Sequence, residues 1–332
     1  MTGTITSTNG AQHAAILGMG AYRPRRVVSN AEILEHIDSS DEWIQTRSGI
    51  KERRWAEPDE TVLMMSVSAA KEALTDSGID PAQIGCVIVA TVTHLYQTPA
   101  IATQIAVAVG APTAAAFDVS AACAGFCYGV ALGNDLVRAG SAPYVLVIGV
   151  ERLSDITDPT DRGTAFIFAD GAGAAVIGPS DQTGIGPVVW GSDGTQHHVI
   201  AQKESWQEAA ASANWPNLTM EGNPVFRWAS YEMAKVAQQA LDVAGVKVED
   251  LDAFVPHQAN NRITDAMIRA LKLPEHVLVA RDVVRQGNTS AASVPLAIDA
   301  MRESGELKSG DTALIIGFGA GLVYAAQVIR MP

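Results

Sequence analysis

The sequence predicts an α/β protein: a largely parallel sheet covered by helices, with the whole pattern run through twice. Three observations point there. Short strands that are apolar on both faces alternate with amphipathic helices, which is how a sheet buried on both sides reads. After a polar interruption at 195–223 the alternation begins again. Each half then closes on a glycine-rich stretch and an apolar strand, at 170–178 and 317–329, as a diverged internal duplication would. The expected organisation is a tail over 1–13, an N-terminal half over 14–180 and a C-terminal half over 181–332.

Composition allows a sizeable core. The chain has 332 residues, 48% hydrophobic and 18% charged, enough for two domains or one large duplicated unit. Its net charge of −13 argues against nucleic acid as a partner, and any acidic partner must find a local basic patch. Three cysteines cannot form a disulfide framework and suit a reducing cytoplasm. No apolar run approaches the ~18–20 residues that cross a membrane, and the polar N-terminus lacks a signal pattern.

In chain order, 14–20 reads as a strand, and Asn30 as the cap of a short helix over 31–36. The polar stretch 38–50 contains one Trp. It reads either as a surface loop with Trp43 half-buried or as a ligand clamp, with Trp43 and Arg47 four apart on one helical face. Positions 61–78 carry a clear apolar stripe at helical spacing, with Gly78 as C-cap. Strands follow at 86–92, 115–119 and 144–150, the second expected to be buried, with a helix over 99–109. The glycines of 170–178 suit a tight turn into a strand better than a dinucleotide site, because no helix follows them. The polar 195–223 reads as an irregular excursion. In the second half, helices are expected over 226–244, 262–273 and 291–303, and strands over 251–255, 277–280, 312–316 and 322–329.

The chemistry gathers around Cys123. It follows the strand 115–119 and small residues, and precedes a helical stripe of Phe126, Val130, Leu132, Leu136 and Val137. A cysteine on a first helical turn meets free N–H groups and the positive end of the helix dipole, which favour a thiolate and can hold an oxyanion. The alternative is an inert buried thiol, as Cys86 in its apolar strand must be. His257 stands where a strand ends and a helix begins, a common address for active-site side chains and equally for structural ones. Asn288 leads small residues into a helix, as an N-cap or a functional amide. Gly317 to Gly321 is either a site of close packing or a source of exposed N–H groups.

Four stretches together carry a family resemblance: Ser120-Ala121-Ala122-Cys123-Ala124-Gly125-Phe126, Pro256-His257-Gln258-Ala259-Asn260, Gly287-Asn288-Thr289-Ser290-Ala291-Ala292-Ser293 and Gly317-Phe318-Gly319-Ala320-Gly321. In that order the chain closely resembles β-ketoacyl-acyl-carrier-protein synthase III, the initiating condensing enzyme of type II fatty-acid synthesis. The stretch 39–49 and Asp161-Arg162-Gly163-Thr164 match too. The resemblance implies the thiolase fold, two duplicated halves in an α/β/α/β/α arrangement, usually as a homodimer. It implies that Cys123 takes the acyl group from acyl-CoA, that His257 and Asn288 act on malonyl-acyl carrier protein (malonyl-ACP), and that the N–H groups of Cys123 and Ala320 form an oxyanion hole.

It further implies CoA contacts at Ser39, Trp43, Arg47, Arg162 and Asn260. Carrier-protein contacts are implied at Gln258, Ala259, Asn260, Asn261, Arg262, Arg227 and Arg269. The acyl pocket would be lined by Thr98, reaching across a dimer interface, and by Phe318. No metal and no cofactor is implied, the CoA thioester being a substrate. Thiolases place a second Cys in the C-terminal glycine-rich region, and elongating synthases use two His; this chain has neither. Ala122, where many relatives have Gly, and Cys127 also resemble starter-unit synthases that prime aromatic polyketide pathways.

Overall fold

The computed structural model describes residues 5–332, so Met1 to Thr4 of the expected tail lie outside the described residues. Two five-stranded sheets form the frame. The first runs, edge to edge, His13–Tyr22, Asp170–Ser180, Tyr144–Arg152, Ile84–Ala90, Ala115–Val119. The second runs Val189–Ser192, Val323–Arg330, Thr312–Gly319, Ala253–Pro256, Leu278–Val279. Numbered within each half, both sheets have the order 1-5-4-2-3, so the internal duplication is real.

Each sheet is mixed, which corrects the expectation of a largely parallel one. Three strands of each run parallel, while the last strand of each half and the first pair antiparallel. In the second half the reason is connection length. Thr312–Gly319 returns through a three-residue turn into Val323–Arg330, too short for the crossover that parallel strands need.

Helices fill three further layers. Gly125–Ala139 and Ser293–Glu303 lie between the sheets, in a core that joins Ile88 and Val147 of one half to Val255 and Ile315 of the other. Val62–Ser77 and Ile101–Val109 cover the outside of the first sheet. Gly222–Ala244 and Asn261–Leu271 cover the outside of the second. The result is the α/β/α/β/α sandwich.

Local signals set many boundaries. Thr61 Oγ1 accepts from Met64 N–H and Gly78 closes the same helix at φ +66°. Two local readings change. Ala115–Val119 is an open edge strand with alternating exposure, not a buried one. The glycines of 170–178 lie inside the strand Asp170–Ser180 rather than in a turn before it. A Cβ on Gly173 would stand 2.6 Å from Pro295 Cβ, so the bare backbone lets the central helix lie against the sheet. Asn30 does not cap its helix either. Ser29 does, and Asn30 Nδ2 donates instead to Asp41 and to the Ile50 carbonyl.

The polar excursion is ordered. Ile200–Gln202 pairs with Leu218–Met220, and between them Trp206–Ser212 forms a helix with a Ser205/Glu208 capping box. Trp215 Nε1 donates to the Asp155 carbonyl at 2.7 Å and ties this excursion to the first half. No helix among the described residues is long and apolar enough to cross a membrane.

Candidate active site

Cys123 occupies a 3₁₀ turn, Ala122–Ala124, that runs directly into Gly125–Ala139. Ala122 takes the left-handed conformation at φ +43°, which costs an L-residue about 1–2 kcal/mol. That bend turns the thiol into a cavity of about 440 Å³. Its lining includes Cys123, His257, Asn288, Ser290, Phe318 and Ala320, so the four motifs meet in one place. Gly319 lies directly against Cys123: a Cβ there would stand 2.8 Å from Cys123 Sγ. Close packing therefore holds at Gly319, and residues 317–319 continue the strand Thr312–Gly319 rather than form a turn. Neither Cys123 N–H nor Ala320 N–H donates to another residue's backbone among the described residues.

The thiolate expected from the helix start is opposed by its surroundings. Burial pushes the Cys123 thiol up to about 12; the Ser290 side chain pulls it down and the Glu151 charge adds to the rise.

His257 follows the buried strand Ala253–Pro256 and is itself buried. Its Nδ1 lies 2.7 Å from Ser293 Oγ, and its ring meets the edge of Phe318 at 5.3 Å between centroids. Ser293 Oγ already accepts from Gln258 N–H at 3.3 Å. Its own hydroxyl hydrogen can donate to Nδ1, and in that tautomer the imidazole proton sits on Nε2. Burial lowers the pKa of His257 to about 3, so the ring is a neutral N–H donor.

Asn288 is fixed from its other end. Its Oδ1 accepts from Ser290 N–H at 2.9 Å, leaving the amide NH₂ to face outward as a donor. It is held in place by backbone bonds to both Ile167 and Ala169. The site thus holds a thiol, two free backbone N–H groups and two neutral side-chain donors. Such a set can form and break thioesters and stabilise an enolate.

The outer residues sort differently. The stretch 38–50 holds a helix, Asp41–Ser48, capped by Ser40 and closed by Gly49 at φ +83°. Arg162 lies 4.8 Å and Arg47 5.8 Å from the Trp43 ring centroid, so these three form one cluster, the arginines exposed and Trp43 half-buried. Trp43 packs against the cluster that includes Leu153, Ile156 and Phe168, which also line the cavity, and its ring meets Phe166 at 5.3 Å between centroids. Ser39 does not share in this: its hydroxyl is buried and finds no partner. Asn260 caps Asn261–Leu271 through Oδ1 and donates through Nδ2 to the Arg47 carbonyl at 2.8 Å, so its side chain is occupied.

Gln258 is buried and bonded to the Pro256 carbonyl and Val283 N–H; it has nothing left to offer a carrier protein. Asn261 accepts from Arg281, and Ala259 lines the cavity. Arg227, Arg262 and Arg269 do come together, around a shallow depression with Phe226 and Tyr231. Phe318 lines the cavity, whereas Thr98 is exposed and does not line that of its own chain.

Sequence reasoning missed Ser290, which lines the cavity, Ser293, which holds His257, and the cavity wall formed by Ile200, Trp206, Leu218 and Met220. The serines stand in a quoted motif. Nothing local in 195–223 announces a wall. No group of three His, Cys, Asp or Glu among the described residues forms a metal site.

Comparison with known proteins agrees with this geometry. The model of the 3-oxoacyl-[acyl-carrier-protein (ACP)] synthase III family matches residues 117–194, and that of its C-terminal part matches 241–331. The chain is 58% identical to β-ketoacyl-[acyl-carrier-protein] synthase III 1 of Streptomyces coelicolor and 60% identical to the synthase III of Streptomyces glaucescens, over 99% of each chain in both cases. Among solved structures, the priming β-ketosynthase of the R1128 polyketide biosynthetic pathway superposes with a TM-score of 0.96 at 49% identity, over 98% of both chains. The synthase III of Aquifex aeolicus superposes with a TM-score of 0.88 at 37% identity, over 96% of this chain and 99% of that one. On these matches, over nearly its whole length, the chain belongs to the β-ketoacyl-acyl-carrier-protein synthase III family of condensing acyltransferases.

Proposed function

We propose that the chain condenses an acyl-CoA primer with malonyl-ACP, releasing carbon dioxide and CoA and giving the 3-oxoacyl-ACP that opens type II fatty-acid synthesis. The observation that carries this reading is the meeting of the Cys123 thiol with the neutral donors of His257 and Asn288 in one cavity. Cys123 Sγ attacks the acyl-CoA carbonyl carbon, the bond from that carbon to the CoA sulfur breaks, and CoA leaves as the thiol. The oxyanion on the way is held by the N–H groups of Cys123 and Ala320, each contributing ~3 kcal/mol. Malonyl-ACP then places its thioester carbonyl against His257 Nε2–H and Asn288 Nδ2–H. The C–CO₂ bond breaks, its electron pair becomes an enolate under those two donors, and the enolate carbon attacks the acyl-Cys123 carbonyl. Sulfur departs and the 3-oxoacyl chain stays on the carrier.

The finer assignments rest on placement. Trp43 and Arg162 offer an indole face and a guanidinium for adenine, and Arg47 a charge for phosphate. Arg227, Arg262 and Arg269 form the docking face for the acidic carrier protein. The open edge Ala115–Val119, with Phe117 and the neighbouring Val107 exposed, supports a homodimer paired along that strand. Thr98 would then reach the acyl pocket of the partner.

The experiment is a mass spectrum of the intact enzyme after incubation with a mixture of acyl-CoAs. A single acyl addition at Cys123, absent from Cys123→Ala, is expected. An unmodified wild type, or an adduct elsewhere, overturns the reading. A second reading keeps the chemistry and changes the pathway: the 49% identical priming β-ketosynthase favours a starter-unit synthase. Products formed from defined primers separate the two.

A further inference from the structure

The strand Tyr144–Arg152 carries Glu151 near its end, a fully buried carboxylate for which the condensation chemistry above has no use. No Lys or Arg pairs with it among the described residues, and the adjacent Arg152 turns to Asp155 at 3.2 Å. A carboxylate in such a place depends on the hydrogen bonds it accepts. These come from one short stretch, directly after the strand Ile84–Ala90. The Thr93 hydroxyl donates to it at 2.8 Å, Val92 N–H at 3.1 Å and the Thr91 hydroxyl at 3.3 Å. The stretch is braced as well: Thr93 N–H donates to Thr91 Oγ1 at 3.1 Å, and Arg152 N–H to Thr93 Oγ1 at 2.9 Å.

That stretch is the root of a loop that walls the cavity beside the nucleophile. Thr91 N–H donates to the carbonyl of Val119, the end of the strand that leads to Cys123. Ala90 lies so close to Gly125 that a Cβ on the glycine would stand 2.7 Å from Ala90 Cβ. From there the loop runs along the cavity, which His94, Leu95, Tyr96 and Gln97 line together with Cys123. Past Thr93 the loop has little to hold it. Residues 94–99 make no backbone–backbone hydrogen bond among the described residues, and Tyr96 is 74% exposed. The bond that His94 Nε2–H makes, to the Pro99 carbonyl at 3.2 Å, stays within the loop. Support comes at the two ends: Glu151 at the root and, at the exit, Asp118, which accepts from Ile101 N–H and Ala102 N–H.

We propose that Glu151 is a positioning residue of the acyl pocket: by pinning Thr91, Val92 and Thr93 it fixes the loop 94–97 and so sets which acyl groups fit beside Cys123. The inference rests on the reading of Cys123 as the residue that takes the acyl group. A pocket discriminates between chain lengths only where its wall does not yield; a wall that moves aside for an extra methylene has little to reject it with. One carboxylate holds two hydroxyls and an N–H at once, and an anion holds each more tightly than a neutral acceptor would. Without it those three buried donors lose their common acceptor, and the root of the loop shifts to find others. In this role Glu151 touches no substrate and moves no proton; it acts on the shape of the cavity.

The test offers the whole enzyme acetyl-CoA and longer straight and branched acyl-CoAs at equal concentration, and reads the ratio of acyl groups on Cys123 by intact mass at short times. Hydrogen–deuterium exchange over residues 91–97 is read on the same proteins. Thr93→Val keeps the shape of the side chain and the charge of Glu151 but loses the 2.8 Å bond. It is expected to lower the ratio of the favoured primer to the next about tenfold. Exchange over 91–97 should quicken, with the rest of the chain unchanged. Thr93→Ser returns the hydroxyl and restores both. Glu151→Ala moves both the same way; should it fold poorly, the two Thr93 variants carry the test. A charge acting only on the thiol would change the rate with every primer alike. An unchanged ratio in Thr93→Val and Glu151→Ala therefore overturns the proposal, whatever the rates do, and so does a wild type with no preference among primers. Acylation at an unchanged ratio sinks the proposal alone; a wild type that takes no acyl group from any thioester sinks the reading of Cys123 on which it rests.

Discussion

His257 gives up its hydration to a site that offers its charge no carboxylate in return. Desolvation alone accounts for a pKa of about 3 in place of 6.5. The ring therefore keeps the same protonation through the working pH range, and what it supplies to a substrate carbonyl is a fixed N–H. Decarboxylation of malonyl-ACP by Cys123→Ala should accordingly be flat between about pH 5 and 8, since the donors remain and neither titrates there. His257→Ala in that background should lower it ~100-fold. An inflection near the ordinary histidine value in the Cys123→Ala profile would show that the ring titrates and overturn the assignment. The same depression has a cost in acid. Between pH 6.5 and about 3 the unfolded chain binds a proton at His257 that the folded one does not, so stability falls as pH falls through that window.

At the scale of elements, two helices on the outside of the first sheet start by different means. Val62–Ser77 carries its own cap in Thr61. Ile101–Val109 follows Ala100, which has no capping side chain. Its free N–H groups are met from another element: Asp118, on the edge strand, accepts from Ile101 N–H at 2.8 Å and from Ala102 N–H at 3.0 Å. A carboxylate there also faces the positive end of the helix dipole. Asp118→Ala should destabilise the fold by about 1–2 kcal/mol, read from the midpoint of urea unfolding. An unchanged midpoint would mean that water replaces the carboxylate without loss.

For the whole molecule the difficulty is charge. A chain of net charge −13 repels an acidic carrier at long range, so encounter depends on a local face. Arg262 and Arg269 stand on one helix, Arg227 on its neighbour, with exposed Tyr231 beside them. That helix begins four residues after His257, which puts the face beside the site. Arg262→Glu should slow turnover with malonyl-ACP ~10-fold or more while leaving self-acylation by acyl-CoA nearly unchanged. Added salt should weaken the wild type in the same direction. Equal loss in both half-reactions, or no response to salt, would place docking elsewhere.

The sequence by itself determined the elements that carry their own signals and the motifs that carry the chemistry. Helix Val62–Ser77 was legible because its cap, stripe and closing glycine are consecutive. Cys123, His257 and Asn288 were legible because each stands in a short motif of small or polar residues at an element boundary. The duplication showed in the repeated order of apolar strands and glycine stretches. Only the tertiary structure decided what faces what. Strand direction depends on where a connection returns, so the mixed sheets were invisible to periodicity. Gln258 reads as polar and accessible, yet the Pro256 carbonyl and Val283 N–H consume it. Ala115–Val119 has a core strand's composition and lies at an open edge. Glu151 looks like an ordinary strand-end carboxylate, yet it is buried and bonded to the Thr91 and Thr93 hydroxyls and to Val92 N–H. Local patterns record the period of a segment and its caps; burial, protonation and partnership belong to pairs of segments, and those are set only when the chain has closed.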